Sequence, residues 1–293
     1  MILIGENINI MVKVISKALE ERNPEPIQKL AIAQTEAGVD FLDLNLGPAR
    51  KDGEAQMEWL VRTVQEASTL PLSLDTTNPV AMEAGLAICR DKALINSASG
   101  KQESIEKMLP LAQKYSAGVI ISVLNDEGIP SDAAGRAESI METISTANEL
   151  GISNEDIWVD PILLPVSVDQ QQVVEYMEFV KMLADLAPGV KSTVGLSNLS
   201  NGTPGELRGI LNRTYMIMIG RCGQYSAIVD AFDKELISIN KGEMTGITEL
   251  VHKVMDGEDI DTASLSSKER DYVKTAAVIM GKVLYSHSWL ELD

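Results

Sequence analysis

The segment Thr193-Val-Gly-Leu-Ser-Asn198 is an apolar run that ends on a hydroxyl and a carboxamide. The same pattern recurs in segments that close with an acid, an amide or a serine, namely FLDLN (41–45), LSLD (72–75), ALINS (93–97) and IWVD (157–160). Each run is short and rich in strand-forming residues, and helical periodicity follows it. Because the carboxyl ends of parallel strands lie at one side of a sheet, we expect these polar residues to form a ring at that side.

Eight strand–helix repeats of this kind can be traced through the chain. The remaining strands are predicted in ILIG (2–5), GVIISVLN (118–125) and YSAIVDA (225–231), and the seventh is predicted to run over KSTVGLSN (191–198). This strict alternation predicts an α/β protein, a (β/α)8 TIM barrel over residues 1–245. An open doubly wound sheet is the alternative, but no strand is followed by a GxGxxG or GxxxxGKS phosphate-binding pattern.

Residues 246–293 depart from the repeat and predict a linker followed by a helical extension that packs on the barrel or on a dimer partner. The linker is assigned to the acidic stretch MDGEDIDTASLSS (255–267). Ser266 and Glu269 form a capping-box pattern for the next helix. That helix is predicted to bury one face, formed by Val273, Ala276, Ala277, Met280 and Leu284. Trp289 fits ordinary packing better than a subunit contact.

The composition disfavours several classes of function. A formal charge of −18 over 293 residues disfavours binding to nucleic-acid phosphates. The sequence has no apolar run long enough to cross a membrane and no signal-peptide pattern, so we expect a cytoplasmic protein without a membrane partner. The cysteines, Cys89 and Cys222, are far apart, and His252 and His287 follow the barrel repeat. No metal site is expected from this set.

The strand ends supply acids and amides but no histidine, cysteine or lysine. The candidates are Glu6, Asn7, Asn9, Asp43, Asn45, Asp75, Asn96, Asp160, Asn198 and Asp230. For a single acid the simpler interpretation is an N-cap of the next helix, and this applies most strongly to Asp75 and Asp230. As a set, the residues suit a neutral heterocycle with adjacent N–H and NH₂ donors, such as a 2-amino-4-oxo-pyrimidine. Covalent nucleophilic catalysis finds few suitable groups here.

The order and spacing of several motifs resemble the pterin-binding methyltransferase family. These motifs are GENIN, LDLNLGPA, MEWLV, LSLDTTN, INSAS, WVDPILLP, GLSNLS, LNRTY and AIVDAFD. The resemblance is strongest to the methyltetrahydrofolate:corrinoid/iron–sulfur protein methyltransferases of acetogens and their relatives in corrinoid-dependent demethylase systems. It covers about residues 1–245 and does not extend over the C-terminal extension.

The resemblance implies a role for the matched strand ends. It assigns Asp75, Asn96 and Asp160 to the pterin ring. It assigns Asn198 to a hydrogen bond with N5 of the folate, which makes Asn198 the catalytic candidate. A carboxamide can donate to unprotonated N5 or accept from protonated N5, so Asn198 can follow the charge at the reacting nitrogen.

Further residues are implied with a less specific role. Asn7, Asp43 and Asn45 are expected in or under the pterin pocket. Ser197 and Arg213 are candidates near the barrel mouth. The resemblance leaves open whether Arg213 touches the folate or only braces its loop.

The implied reaction is methyl transfer between N5 of tetrahydrofolate and the cobalt of a corrinoid, with tetrahydrofolate or 5-methyltetrahydrofolate as the substrate. The chain has no DxHxxG corrinoid-binding motif, so the corrinoid is expected on a separate protein that docks over the barrel mouth. The loops PILLPVSV (161–168) and 125–135 are candidate contact surfaces, although packing of these loops on each other explains them equally well. A homodimer is also expected.

Two alternatives share the barrel and the pterin pocket. One is a folate-binding subunit of a corrinoid complex that does not itself transfer methyl groups. The other is dihydropteroate synthase, which must bind a pyrophosphate-bearing pterin. The sequence shows no basic cluster near strands seven and eight beyond Arg213, and this disfavours the synthase.

Overall fold

Eight parallel strands form the inner sheet of the computed structural model, which describes residues 1–49 and 51–291. The strands are β1 (Ile2–Asn9), β2 (Phe41–Gly47), β3 (Leu72–Thr76), β4 (Leu94–Ser99), β5 (Gly118–Ser122), β6 (Ile157–Asp160), β7 (Lys191–Ser192) and β8 (Ser226–Val229). They are hydrogen-bonded in the order β7–β6–β5–β4–β3–β2–β1–β8. The two ends of the sheet meet, because the N–H of Ile228 donates to the carbonyl of Val194 at 2.7 Å. The predicted (β/α)8 TIM barrel is confirmed.

Helices cover the outside of this sheet. They are α1 (Lys13–Glu21), α2 (Glu25–Ala37), α3 (Gly53–Gln65), α4 (Pro79–Leu86), α5 (Gln102–Tyr115), α6 (Ala133–Glu149), α7 (Gln170–Leu186), α8 (Gly205–Arg221), α9 (Lys234–Asn240), α10 (Thr245–Asp256) and α11 (Ser267–Ile279). None of the helices in the described ranges is both long enough and apolar enough to cross a membrane. Arg50 in the loop after β2, and Leu292 and Asp293 at the end of the predicted extension, lie outside the described residues.

Strand alternation separates the outer core from the barrel interior. Leu42 and Leu44 of β2 are fully buried in the core shared with the helices, whereas Asp43 between them points inward. A second apolar cluster, which we call the floor, fills the interior near the amino ends of the strands. It consists of Ile4, Leu94, Ile120 and Trp158, supported by Ile2, Phe41 and Ile228. The polar strand ends therefore lie on a solid apolar base.

The seventh strand is much shorter than predicted. Only Lys191–Ser192 is strand, and Leu196–Ser200 forms a 3-10 helix instead of extended chain. The N–H of Asn198 donates to the carbonyl of Gly195 at 3.1 Å, so the chain curls at the point where the prediction continued the strand. The prediction that Asn198 ends a strand is therefore wrong, although Asn198 remains at the carboxyl side of the sheet.

Two boundaries also differ from the predictions. Helix α6 begins at Ala133, within the predicted 125–135 loop, because the Asp132 carboxylate accepts from the N–H of Gly135 at 2.7 Å and caps the helix. Helix α10 covers the first two residues of the predicted 255–267 linker. Leu284 does not belong to the buried face of α11, since the helix ends at Ile279 and Leu284 is 84% exposed.

The residues after α9 pack on the barrel helices. The predicted capping box of Ser266 and Glu269 begins α11. The phenol of Tyr272 donates to Glu235 at 2.9 Å, which joins α11 to α9. The indole of Trp289 is 1% exposed and donates to the hydroxyl of Thr275 at 2.9 Å, in accordance with ordinary packing.

Candidate functional site

Neighbouring strands place polar side chains at one level of the barrel mouth. Asn45 of β2 pairs in register with Asp75 of β3, and Asp75 pairs with Asn96 of β4. The amide Nδ2 of Asn45 donates to Oδ2 of Asp75, and its Oδ1 accepts from the N–H of Gly47 at 3.0 Å. Both polar atoms of Asn45 are thus engaged, and its side chain supports Asp75.

Asp43 lies one inward-facing position below this row. It is 3% exposed, and its Oδ1 accepts from the hydroxyl of Ser73 at 2.7 Å and from Nδ2 of Asn96 at 3.0 Å. The second contact engages the amino end of the Asn96 amide, so its carbonyl oxygen is the end left for a ligand. Asp43 therefore orients Asn96 from beneath.

Asp160 ends β6 on the other side of the mouth. Its Oδ1 accepts from the N–H of Ile162 at 2.9 Å. Within the described residues, Oδ1 of Asp75, Oδ1 of Asn96 and Oδ2 of Asp160 have no hydrogen-bond partner. Three such oxygen atoms at one end of a barrel fit a ligand that offers several hydrogen-bonding groups.

The N-cap interpretation does not apply to the two acids for which it was strongest. Asn78 caps α4, where its side chain accepts from the N–H of Val80 at 3.0 Å. Asp233 caps α9, where its carboxylate accepts from the N–H of Leu236 at 3.0 Å. Asp75 and Asp230 are thus free of a capping role.

The side chain of Asn198 is exposed at the mouth. Its closest polar contact is a long one, 3.4 Å between its Oδ1 and Nδ2 of Asn201. A Cβ atom on Gly195 would lie 3.0 Å from Nδ2 of Asn198, so the glycine leaves room for this amide. The carboxamide is available to a ligand at both of its ends.

Glu6 lies beside the catalytic candidate. The hydroxyl of Ser197 donates to Oε1 of Glu6 at 2.5 Å, which links β1 to the residue preceding Asn198. Glu6 is one of the strand-end acids predicted from the sequence, although the resemblance implies no role for it. The structure brings a half-buried carboxyl group next to Asn198.

Sequence reasoning missed two supporting residues. Arg208, in the first turn of α8, donates from Nε to the hydroxyl of Ser200 at 3.1 Å and holds the 3-10 helix that carries Asn198. Gln34 of α2 is fully buried, and its Oε1 accepts from the N–H of Asn7 at 3.2 Å. Two features of the sequence point to these residues. Arg208 is a basic residue at the amino end of a helix, where the helix dipole disfavours a positive charge. Gln34 is an amide on a buried helix face.

Asn7 and Arg213 brace the segment after β8. Nδ2 of Asn7 donates to Asp230 at 2.8 Å, and its Oδ1 accepts from the N–H of Ala231 at 3.0 Å. Arg213 donates to both carboxylate oxygens of Asp233 at 2.8 Å and to Glu235 at 2.8 Å. In this structure Arg213 therefore has the bracing role that the resemblance left open.

Burial raises the pKa of the acids at the mouth. Loss of solvation raises the pKa of Asp75 to about 8, assisted by repulsion from Asp43 and opposed by the hydrogen bond from Asn45. Burial raises the pKa of Asp43 to about 6 against the hydrogen bonds from Ser73 and Asn96. Burial also raises the pKa of Glu6, while its bond from Ser197 lowers it. Asp75 and Asp43 can therefore hold or exchange protons near neutral pH.

Asp160 has an additional charged neighbour. Burial raises its pKa to about 6, whereas the N–H of Ile162 and the positive charge of Arg136 act in the opposite direction. Among residues 1–49 and 51–291, no cluster of three or more histidine, cysteine, aspartate or glutamate side chains is arranged to hold a metal ion. The site is suited to binding a polar heterocycle and moving protons.

Comparison with known proteins gives related enzymes. The chain is 28% identical over 239 residues to the methylcorrinoid:tetrahydrofolate methyltransferase of Eubacterium limosum, which covers 81% of this chain and 88% of the relative. It is 27% identical over 241 residues to the methionine synthase of Mycobacterium tuberculosis, covering 78% of this chain but only 20% of that much longer protein.

Solved structures show the same fold at lower identity. Dihydropteroate synthase of Stenotrophomonas maltophilia superposes with a TM-score of 0.64 at 15% identity, covering 83% of this chain and 92% of the synthase. The synthase of Vibrio fischeri gives a TM-score of 0.64 at 14% identity, with coverage of 83% and 93%. The family model described as "Pterin binding enzyme" matches residues 5–222. This match includes every site residue from Glu6 to Arg213, and the chain belongs to the pterin-binding enzyme family.

Proposed function

We propose that this protein transfers a methyl group between N5 of tetrahydrofolate and the cobalt of a corrinoid carried by a separate protein. The proposal rests on oxygen atoms of Asp75, Asn96 and Asp160 that have no partner among the described residues, with Asn198 exposed at the same mouth. Membership of the family and the printed activity of the Eubacterium limosum relative support the choice of substrates.

The acids would bind the pterin ring in different protonation states. An ionised Asp160 accepts hydrogen bonds from an adjacent N–H and NH₂ pair. Its free Oδ2 accepts one of them, and Oδ1, which also accepts from Ile162, accepts the other. Asp75, which burial keeps protonated near neutral pH, can donate one hydrogen bond to a ring nitrogen or carbonyl. Asn96 offers its carbonyl oxygen. Asn45 and Asp43 hold Asp75 and Asn96 in place from the side and from below.

The reacting nitrogen changes charge during the transfer. When 5-methyltetrahydrofolate forms, the N5 lone pair makes the new N–C bond, the Co–C bonding pair stays with cobalt, and the N5 proton leaves. In the reverse direction N5 must gain a proton before the N–C bond breaks. Asn198 can accept from the protonated nitrogen and donate to the neutral one, which favours the charged form near the transition state.

Glu6 is suited to exchange this proton. Its carboxyl group is joined to Ser197, the neighbour of Asn198, at 2.5 Å, and its pKa is raised by burial. Raising the pKa of a carboxyl group makes its ionised form a stronger general base. We therefore place Glu6, through Ser197 or a water molecule, on the proton path to N5.

The proposal is tested by mixing the purified protein with tetrahydrofolate and methylcobalamin under anaerobic conditions. We expect loss of the methyl–cobalt absorbance and an equal amount of 5-methyltetrahydrofolate. The same assay is repeated with a methylated corrinoid carrier protein, and the Asn198→Ala variant is the control. Absence of transfer with both free and carrier-bound methylcorrinoid would refute the proposal.

Tight folate binding without transfer in the complete assay would instead identify a folate-binding subunit. The dihydropteroate synthase alternative requires a pyrophosphate site. Arg213 is engaged by Asp233 and Glu235, and Arg208 by the 3-10 helix, so neither guanidinium offers a free anion site. Formation of dihydropteroate from a pterin pyrophosphate and p-aminobenzoate would favour the synthase.

We also propose a cytoplasmic homodimer built from a barrel (1–245) and an extension (246–293). The free thiols of Cys89 and Cys222 suit a reducing compartment. Light scattering after size-exclusion chromatography tests the dimer, since a monomer mass at micromolar concentration would contradict it. Limited proteolysis tests the division into barrel and extension, and cleavage is expected within residues 257–266.

A further inference from the structure

Arg136 is a charged side chain within the barrel wall that the proposed mechanism does not use. It lies in the first turn of α6 and is 0% exposed. Burying a guanidinium is unfavourable unless its charge and its N–H groups are compensated. A fully buried arginine therefore calls for a structural or functional partner.

Two of its three nitrogen atoms have partners. Nε donates to the carbonyl of Pro161 at 3.0 Å, and one terminal nitrogen, Nη2, donates to Oε1 of Gln172 on α7. The other, Nη1, is buried and has no partner within the described ranges. The guanidinium is thus fixed against the residue that directly follows Asp160.

We infer that Arg136 is a positioning residue for Asp160. It fixes the turn at Asp160 and Pro161 and supplies the positive charge that compensates the Asp160 carboxylate. The inference rests on the proposed function only in giving Asp160 a role in folate binding.

The surroundings leave Arg136 as the cation that acts on Asp160. The other titratable groups that influence Arg136 come from α6, α7 and α8, and they are Asp132, Glu175, Tyr176 and Tyr215. On the Asp160 side, Tyr176 is the neighbouring phenol, and among the described residues Arg136 is the charged group that favours ionisation of the carboxylate. Removing Arg136 should therefore make the carboxylate harder to form.

The first test follows the Asp160 carboxyl group directly, without folate. Selective ¹³C labelling of aspartate with NMR detection gives the pKa of Asp160, and the signal is assigned by its loss in Asp160→Asn. We expect Arg136→Met to raise this pKa by about one unit and Arg136→Lys to restore most of the wild-type value. An unchanged Asp160 pKa in Arg136→Met would overturn the inference.

A matched variant separates the charge effect from loss of packing. Gln172→Leu removes the partner of Nη2 on α7 but leaves the guanidinium, so the Asp160 pKa should stay within about 0.3 units of wild type. A shift as large as that of Arg136→Met would show that packing alone controls Asp160. Circular dichroism confirms folding, and Arg136→Gln replaces Arg136→Met if the latter does not fold.

Folate affinity gives the second measurement. If Asp160 must be ionised, Arg136→Met should weaken binding about fivefold more at pH 6 than at pH 8.5, because pH 6 lies at the wild-type Asp160 pKa of about 6 and one unit below the raised value. In the Asp160→Asn background this pH-dependent difference should disappear. If Arg136 had a purely structural role, Arg136→Met would weaken folate binding by the same factor at both pH values. If the wild type binds no folate, the proposed function fails, and the NMR titration still decides the role of Arg136.

Discussion

At the scale of single residues, the mouth combines proposed ligands that face the opening with supports behind them. Among the described residues, Asp75, Asn96 and Asp160 each keep one oxygen unpaired, whereas Asn45, Asp43 and Ser73 use their polar atoms to hold that arrangement. Asn45, Asp75 and Asn96 lie side by side on β2, β3 and β4 because neighbouring strands share one register. Their separate roles can be tested by substitution.

Asp160→Ala should remove most folate binding. Each ring donor left without an acceptor costs about 1–3 kcal/mol, and two adjacent donors are affected. Isothermal titration with 5-methyltetrahydrofolate measures the loss. Asp156→Ala is the control, since Asp156 directly precedes the same strand at its amino end and pairs with Lys92. Near-normal affinity of Asp160→Ala would exclude Asp160 from the pterin site.

Asn198→Ala should affect chemistry more than binding. We expect kcat to fall about 100-fold or more, as for loss of a donor aimed at developing charge, with a much smaller change in folate Kd. The control is Asn201→Ala, which removes a nearby carboxamide of the same loop. Equal losses in kcat and affinity for Asn198→Ala would contradict its role at N5.

Asp75→Asn should stabilise the ligand-free protein at high pH. The pKa of Asp75 is raised in the folded state to about 8, so its contribution to stability is full below the unfolded pKa and is lost as the pH rises through the folded pKa. Urea unfolding at pH 8.5 should show a gain of about 1–3 kcal/mol, declining towards zero near pH 4. Glu243→Gln, on the surface, serves as the control.

The proposed ligand residues could be predicted from the sequence more readily than their supports. Asp75, Asn96 and Asp160 stand out because an acid or amide closes an apolar run. Ser73, Gln34 and Arg208 carry no such signal. The contacts of Ser73 with Asp43 and of Gln34 with Asn7 join residues 30 and 27 positions apart, which only the folded barrel brings together, whereas Arg208 contacts Ser200 eight positions away.

At the scale of elements, periodicity predicted the eight strands and most helices but not where β7 ends. The run after Ser192 is as apolar as a strand, and its residues Val194, Leu196 and Leu199 are buried as predicted. The chain nevertheless leaves the sheet at Gly195, because local N–H to carbonyl bonds replace cross-strand ones. Hydrophobicity alone does not distinguish a buried strand from a buried turn.

The extension can be tested through its most buried anchor. Trp289→Ala should lower the free energy of unfolding by about 3–5 kcal/mol, because it leaves a large cavity and an unpaired Thr275 hydroxyl. Urea unfolding followed by far-UV circular dichroism measures this change. Leu284→Ala, at a position that is 84% exposed, should change stability by less than about 0.5 kcal/mol. A similar effect of both substitutions would mean that the extension is not anchored at Trp289.

At the scale of the whole molecule, exposed apolar side chains lie on several loops around the mouth. Met11 follows β1 and is 85% exposed, Val168 follows β6 and is 73% exposed, and Phe232 follows β8 and is 44% exposed. Of the predicted PILLPVSV contact loop, Leu163 and Val166 are buried, so Val168 is its most exposed apolar side chain. These three residues form the rim.

Replacing the rim residues with serine should impair use of a carrier-borne methylcorrinoid. We expect kcat/KM for the carrier protein to fall about tenfold or more, as for loss of central apolar contacts, while transfer from free methylcobalamin is unchanged. Steady-state kinetics with both donors measures the difference. Leu284→Ser is the control for an exposed leucine away from the strand ends. An equal fall with both donors would assign the rim to the pocket itself.

The apolar floor of Ile4, Leu94, Ile120 and Trp158 has a kinetic consequence. It closes the barrel at the amino ends of the strands, so a folate bound at the mouth would have no second way out once a carrier protein covers the mouth. Under the proposed function, the reactants must then enter in sequence, with folate first and the carrier second, and the folate product can leave only after the carrier departs. Under the proposed function, high carrier concentrations should slow turnover by trapping the product beneath the lid that the carrier forms.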